Sequence, residues 1–178
     1  MAILELINLR KARKAILYLF CILLAIWLQT MVFSRLMLLG VKAFFLPALI
    51  VAIGMFEGGI WGGMLGLAAG FGCMLSMVGY PVLFLVLLPA FGFLSGVLAD
   101  FLINRRFTSY LILAAGALLL TAFLQAAPLW IFHGAEARAV FSVAALQAVW
   151  SLPMAVLCYF AAKALAGRER EEAQRWKN

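Results

Sequence analysis

Long apolar segments recur along this chain, and their length limits what it can fold into. The first runs from Ala15 to Phe33, about 19 residues, and similar segments follow it. A helix needs about 20 apolar residues to cross about 30 Å of hydrocarbon. Overall 67% of the residues are hydrophobic and 12% are charged, and the mean hydropathy is +1.12. A soluble domain of this size could not bury so much apolar surface, so the sequence predicts an all-α, polytopic membrane helix bundle.

Six apolar segments are candidate transmembrane spans. They cover residues 15–34, 43–56, 59–77, 81–103, 107–127 and 139–165. No small-residue cleavage site follows the first segment, which therefore reads as a span and not as a signal peptide. The expected organisation is a cytoplasmic amphipathic segment over 1–14, a six-helix transmembrane domain over 15–165 and a charged cytoplasmic tail over 166–178.

Basic residues are distributed unequally between the two sides of a six-span arrangement. One side carries eleven Lys or Arg residues and the other carries three. The smaller set is Arg35, Lys42 and Arg138. Because cytoplasmic loops of membrane proteins are enriched in Lys and Arg, both termini are predicted to be cytoplasmic. The net charge of +7 is then explained by the enrichment of Lys and Arg on the cytoplasmic side and by their attraction to anionic lipid headgroups. Nucleic acid is not an expected partner.

Glycines recur every four residues in the third apolar segment. On a helix this spacing makes one face without side chains, against which another helix can pack closely. The fourth segment carries a shorter glycine face of the same kind. The residues predicted to form a helix-packing or partner interface are Gly58, Gly59, Gly62, Gly63, Gly66, Gly70, Gly92 and Gly96.

Residues that could carry chemistry are few. His133 has no nearby cluster of acidic residues or cysteines, as a zinc site or a catalytic dyad would require. The polar residues predicted at the membrane interface are Glu57, Asp100, Arg105 and Arg106. The sequence has no P-loop, HExxH or GxSxG motif. We therefore expect no catalytic residues, no metal site and no cofactor, and we do not expect an enzyme.

The order of these features resembles the MreD family of bacterial rod shape-determining membrane proteins. The resemblance rests on the first span ending in Trp27–Leu36, on the turn Gly54–Gly59, on the glycine-rich Trp61–Gly70 and on Pro89–Asp100, and it covers residues 14–165. Two family features differ here. Lys42 is followed by alanine in place of a Pro-Asp pair, and no acid ends the third span.

This resemblance implies a non-enzymatic scaffold of the cell-elongation machinery in the bacterial cytoplasmic membrane. Its partners would be an MreC-like membrane protein and other elongation-complex subunits, through which the MreB cytoskeleton is linked to peptidoglycan synthesis. A homo-oligomer is also compatible with it. MreD-like chains are in turn similar to the substrate-binding S components of energy-coupling-factor transporters. The alternative function is therefore uptake of a vitamin or another small molecule, which would require an outward cavity lined by polar and aromatic groups.

Overall fold

A computed structural model describes residues 2–33, 35–38, 40–76, 81–101, 106–133 and 136–175. The helices are α1 (Ala2–Leu28, continued by a π-helical turn at Gln29–Phe33), α2 (Leu46–Glu57), α3 (Gly59–Leu75), α4 (Pro81–Phe101), α5 (Phe107–His133) and α6 (Ala137–Arg175). A short antiparallel hairpin of β1 (Met37–Leu38) and β2 (Val41–Lys42) turns at Gly40, whose φ is 82°. The predicted all-α bundle is confirmed.

Four of the described helices are long and apolar enough to cross a membrane. The four segments are Ala12–Phe33, Val82–Phe101, Phe107–Pro128 and Arg138–Gly167. With 12 residues, α2 is about 18 Å long, and α3 with 17 residues is about 25 Å long. Both are shorter than the hydrocarbon core. The structure therefore supports a multi-pass membrane protein, whereas the six-span count stays a prediction.

Helix α2 is the centre of the bundle. Every residue from Leu46 to Met55 is buried, and the helix contacts α3, α4, α5 and α6. A helix that is apolar on all sides belongs in the interior of a protein. Pro47 lies in its first turn, where a missing backbone N–H costs nothing. One apolar cluster joins α2 to α1 and α4, and a second joins it to α5 and α6.

Helices α2 and α3 form a tight antiparallel hairpin. The turn is Gly58, whose φ of 92° and ψ of 168° favour glycine. Four residues to either side of it, Gly54 and Gly62 face each other across the two helices. Helix α4 then packs antiparallel to α3, because Gly62 meets Gly92 and Gly70 meets Leu85. Helices α2 and α4 consequently run in the same direction.

The outward faces of the bundle are apolar. Phe20 on α1 is 66% exposed, Ile60 on α3 is 76% exposed and Ile112 on α5 is 69% exposed. Large exposed apolar faces of this kind would be unfavourable in water and suit contact with lipid chains.

Three helices extend beyond the predicted spans. The predicted amphipathic segment over 1–14 is helical from Ala2 and is continuous with the first span in α1. At the other end, α6 continues through most of the charged tail to Arg175. Helix α5 continues past the predicted end of the fifth span at residue 127 and ends at His133.

Candidate functional site

The predicted glycine faces of α3 and α4 lie against each other. A methyl group added to Gly62 would overlap the carbonyl oxygen of Gly92, and one added to Gly66 would come within 2.7 Å of Pro89 Cα. One added to Gly70 would come within 2.9 Å of Leu85 Cα. The two backbones are thus in direct contact along three turns, which only glycine permits.

The same contact continues to the Gly58 turn. Gly96 packs against the backbone of Gly58 and Gly59, and Gly59 also approaches Val97. Gly63 lies at the rim of the contact, since a methyl group there would meet Phe93 Cβ at an ordinary 3.6 Å. Seven of the eight predicted glycines therefore lie within or at the end of an intramolecular helix contact, and Gly63 borders it.

Gly54 is a packing residue that the sequence interpretation missed. A methyl group on Gly54 would overlap the carbonyl oxygen of Gly92 and the Ser95 hydroxyl. Gly54, Gly62 and Gly92 thus form the point where α2, α3 and α4 meet most closely. The signal was present in the sequence, because Gly54 continues the four-residue spacing backwards across the turn at Gly58.

Glu57 is held by α1. Its carboxylate accepts a 2.6 Å hydrogen bond from the hydroxyl of Tyr18 and forms a salt bridge with Lys14. The Glu57 side chain is only 7% exposed and that of Lys14 is 20% exposed. Lys14 and Tyr18 are four residues apart, so one face of α1 supplies both partners. An isolated buried charge is costly, and the contacts with Lys14 and Tyr18 offset part of that cost at the α2–α3 turn.

Two further residues of the predicted polar interface set, Asp100 and Arg106, lie at the same end of the bundle. Asp100, near the end of α4, is exposed, and its carboxylate lies over the Gly58 turn, 3.6 Å from the position of a methyl group there. Arg106 is exposed directly before α5. Arg105 lies outside the described residues. Glu57 and Asp100 are thus brought to one end of the molecule, around a shared turn.

A second polar arrangement closes the opposite end of α2. The side chain of Gln29 donates to the carbonyl of Ala43 at 2.6 Å and accepts from the backbone N–H of Phe45 at 3.3 Å. Ser151 on α6 accepts from the N–H of Phe44 at 2.9 Å. Gln29 and Ser151 thus both bind the backbone that leads into α2.

These arrangements fit structural roles. Within the described part of the chain, no group of three or more His, Cys, Asp or Glu side chains is placed to hold a metal ion. Cys73 and Cys158 are buried, Cys21 is half-buried, and all three are free thiols. The polar side chains at both ends of α2 bind other parts of the same chain.

Comparisons with known proteins identify no relative. No protein-family model matches the chain, and no significant match was found among curated proteins or solved structures.

Proposed function

We propose that this chain is an integral membrane scaffold of the bacterial cell-elongation machinery. It would bind an MreC-like protein and so link the MreB cytoskeleton to peptidoglycan synthesis. The proposal starts from the sequence resemblance to the MreD family. The alternative, a transporter S component, requires a substrate cavity at the end of α2 opposite the α2–α3 turn. The packing at that end is the observation that favours the scaffold.

That end of α2 is filled by aromatic side chains. Phe44 and Phe45 are buried, and Phe44 stacks on Phe84 with ring centroids 4.5 Å apart. Phe33 packs edge-on against Phe45. The neighbouring polar groups are engaged by backbone, as described for Gln29 and Ser151. The Gln29 and Ser151 side chains are therefore engaged with the backbone at Ala43 and Phe44 and are not available to bind a polar substrate, which favours a scaffold over a transport subunit.

The six-span topology belongs to the same proposal. Helix α1 meets one end of α2 at Lys14 and the other end at Gln29. Those two residues are 15 positions apart, or about 22 Å along a helix. Helix α2 and the non-helical residues that lead into it therefore run alongside most of the length of the first span. This supports α2 and α3 as two short helices that each cross the membrane. With six spans, both termini lie on the same side, in the cytoplasm.

Affinity purification from native bacterial membranes tests the proposed function. We expect the tagged chain to copurify a single-span MreC-like protein, identified by mass spectrometry and enriched over a tagged multi-pass membrane protein of unrelated function. Recovery of ATPase subunits together with a bound vitamin, and without the MreC-like partner, would show that the chain is a transporter S component.

A further inference from the structure

Helices α5 and α6 pack antiparallel, and their register is set by aromatic and polar contacts. Phe107 contacts Tyr159 at one end, with centroids 5.1 Å apart, and Phe123 contacts Phe141 at 5.5 Å further along. In this register Arg106, directly before α5, is level with Phe160 on α6. Lys163 is therefore about one helical turn from the level of Arg106.

An aromatic cluster occupies this corner of the bundle. Tyr159 is its buried centre and contacts Phe56, Phe107, Tyr110 and Phe160. Phe107 and Phe160 stack with centroids 6.3 Å apart and remain 38% and 56% exposed. Exposed aromatic rings at the end of membrane helices are typical of the interfacial zone, where headgroups begin.

Two exposed cations flank the exposed rings. Lys163 follows Tyr159 by four residues on α6, and its ammonium lies 5.9 Å from the centre of the Tyr159 ring. The same Tyr159 ring contacts Phe107 at the start of α5, and Arg106 is exposed directly before Phe107. Deeper along α6, Leu157, one helical turn before Phe160, is 60% exposed. The corner thus presents positive charge, then aromatic rings, then aliphatic surface.

We propose that this corner is a binding site for one anionic phospholipid. Arg106 and Lys163 would contact the headgroup phosphate, the Phe107 and Phe160 rings would lie at the glycerol level, and an acyl chain would run along the aliphatic surface. The order of these groups matches the order of a lipid's own parts, and each cation near an anionic membrane surface adds attraction. The site does not depend on a role in cell elongation.

Native mass spectrometry of the purified protein with added dioleoylphosphatidylglycerol tests the site. The double variant Arg106→Gln/Lys163→Gln should bind this lipid on the order of tenfold or more weakly, since each cation contributes about fivefold. The matched control Arg35→Gln/Arg138→Gln removes the same charge from two exposed positions at the opposite end of the bundle, and we expect less than a twofold change. The charge-preserving variant Arg106→Lys/Lys163→Arg should retain binding.

Three outcomes would overturn the site. Unchanged phosphatidylglycerol binding in Arg106→Gln/Lys163→Gln would exclude these two residues. An equal loss in both double variants would mean that net charge alone attracts the lipid. Displacement of the lipid by inorganic phosphate or glycerol 3-phosphate would assign the corner to a soluble phosphate compound. Phosphatidylcholine, which carries phosphate without net charge, should bind weakly to every variant, and binding equal to that of phosphatidylglycerol would contradict an anionic site.

Discussion

At the scale of single residues, Glu57 shows how a buried acid is tolerated beside a membrane. The carboxylate lies at the α2–α3 turn, and its partners Lys14 and Tyr18 come from α1, about 40 residues earlier. Removing one member of a buried pair leaves the other charge without compensation, which costs more than the pair itself contributes. The salt bridge is thus a constraint on where α1 lies against the turn.

A double-mutant cycle measures that constraint. We expect Lys14→Gln and Glu57→Gln each to lower the free energy of unfolding by about 1–3 kcal/mol, because each leaves its partner charge partly buried. The double variant should lose less than the sum of the two. Thermal unfolding in detergent, followed by the loss of monodisperse protein, provides the measurement. Arg138→Gln, an exposed cation at the other end, serves as the control, and strictly additive losses would contradict coupling of the pair.

At the scale of elements, the bundle is organised by backbone contact between α2, α3 and α4. In lipid, helices gain little from burying apolar side chains, so close packing through small residues stabilises their association. The four-residue glycine spacing indicated such a face on α3. It did not indicate that α4 of the same chain would cover it, or that α2 would join the contact through Gly54. Because α2 is apolar on every side, its sequence has no periodicity from which a contacting face could be chosen.

Adjacent glycines on α3 provide a matched pair of variants. In Gly62→Ala the new methyl group would meet the Gly92 carbonyl oxygen and, at 2.6 Å, Gly54 Cα. Neither backbone can move aside, so we expect a loss of stability of about 1–3 kcal/mol or more. In Gly63→Ala the methyl group has room, and stability should be unchanged or rise by up to about 1 kcal/mol, since alanine favours helix. Thermal unfolding of the two variants in the same detergent compares them directly. Equal stability of both would show that the three-helix contact is looser than described.

At the scale of the whole molecule, five helices surround the short central helix α2. Helix α2 contacts α3, α4, α5 and α6, and α1 contacts its two ends through Lys14 and Gln29. In the proposed topology, the two ends of α2 therefore lie near opposite membrane surfaces. The loop with Lys42 and the start of α6 with Arg138 then lie on one side. The start of α1 and the start of α5 lie on the other.

Cysteine labelling tests this arrangement. After replacement of the native cysteines by alanine, Lys42→Cys and Arg138→Cys should react with a membrane-impermeant maleimide in intact spheroplasts. Arg13→Cys and Arg106→Cys should react only after the membrane is permeabilised. All four positions are exposed, so differences in labelling report on sidedness and not on burial within the protein. Labelling of Arg106→Cys in intact spheroplasts would contradict cytoplasmic termini.

The sequence by itself determined the membrane class, the helical architecture and the approximate helix positions, because apolar length and glycine spacing are local properties of a chain. The six-span count stays a prediction, because α2 with 12 residues and α3 with 17 are shorter than the hydrocarbon core. Only the tertiary structure decided what each face meets. The partner of Glu57, the contact between Gly62 and Gly92, and the filling of the far end of α2 by Phe44 depend on the rotation and register of helices distant in sequence. Those quantities are set by packing in three dimensions, and no local pattern encodes them.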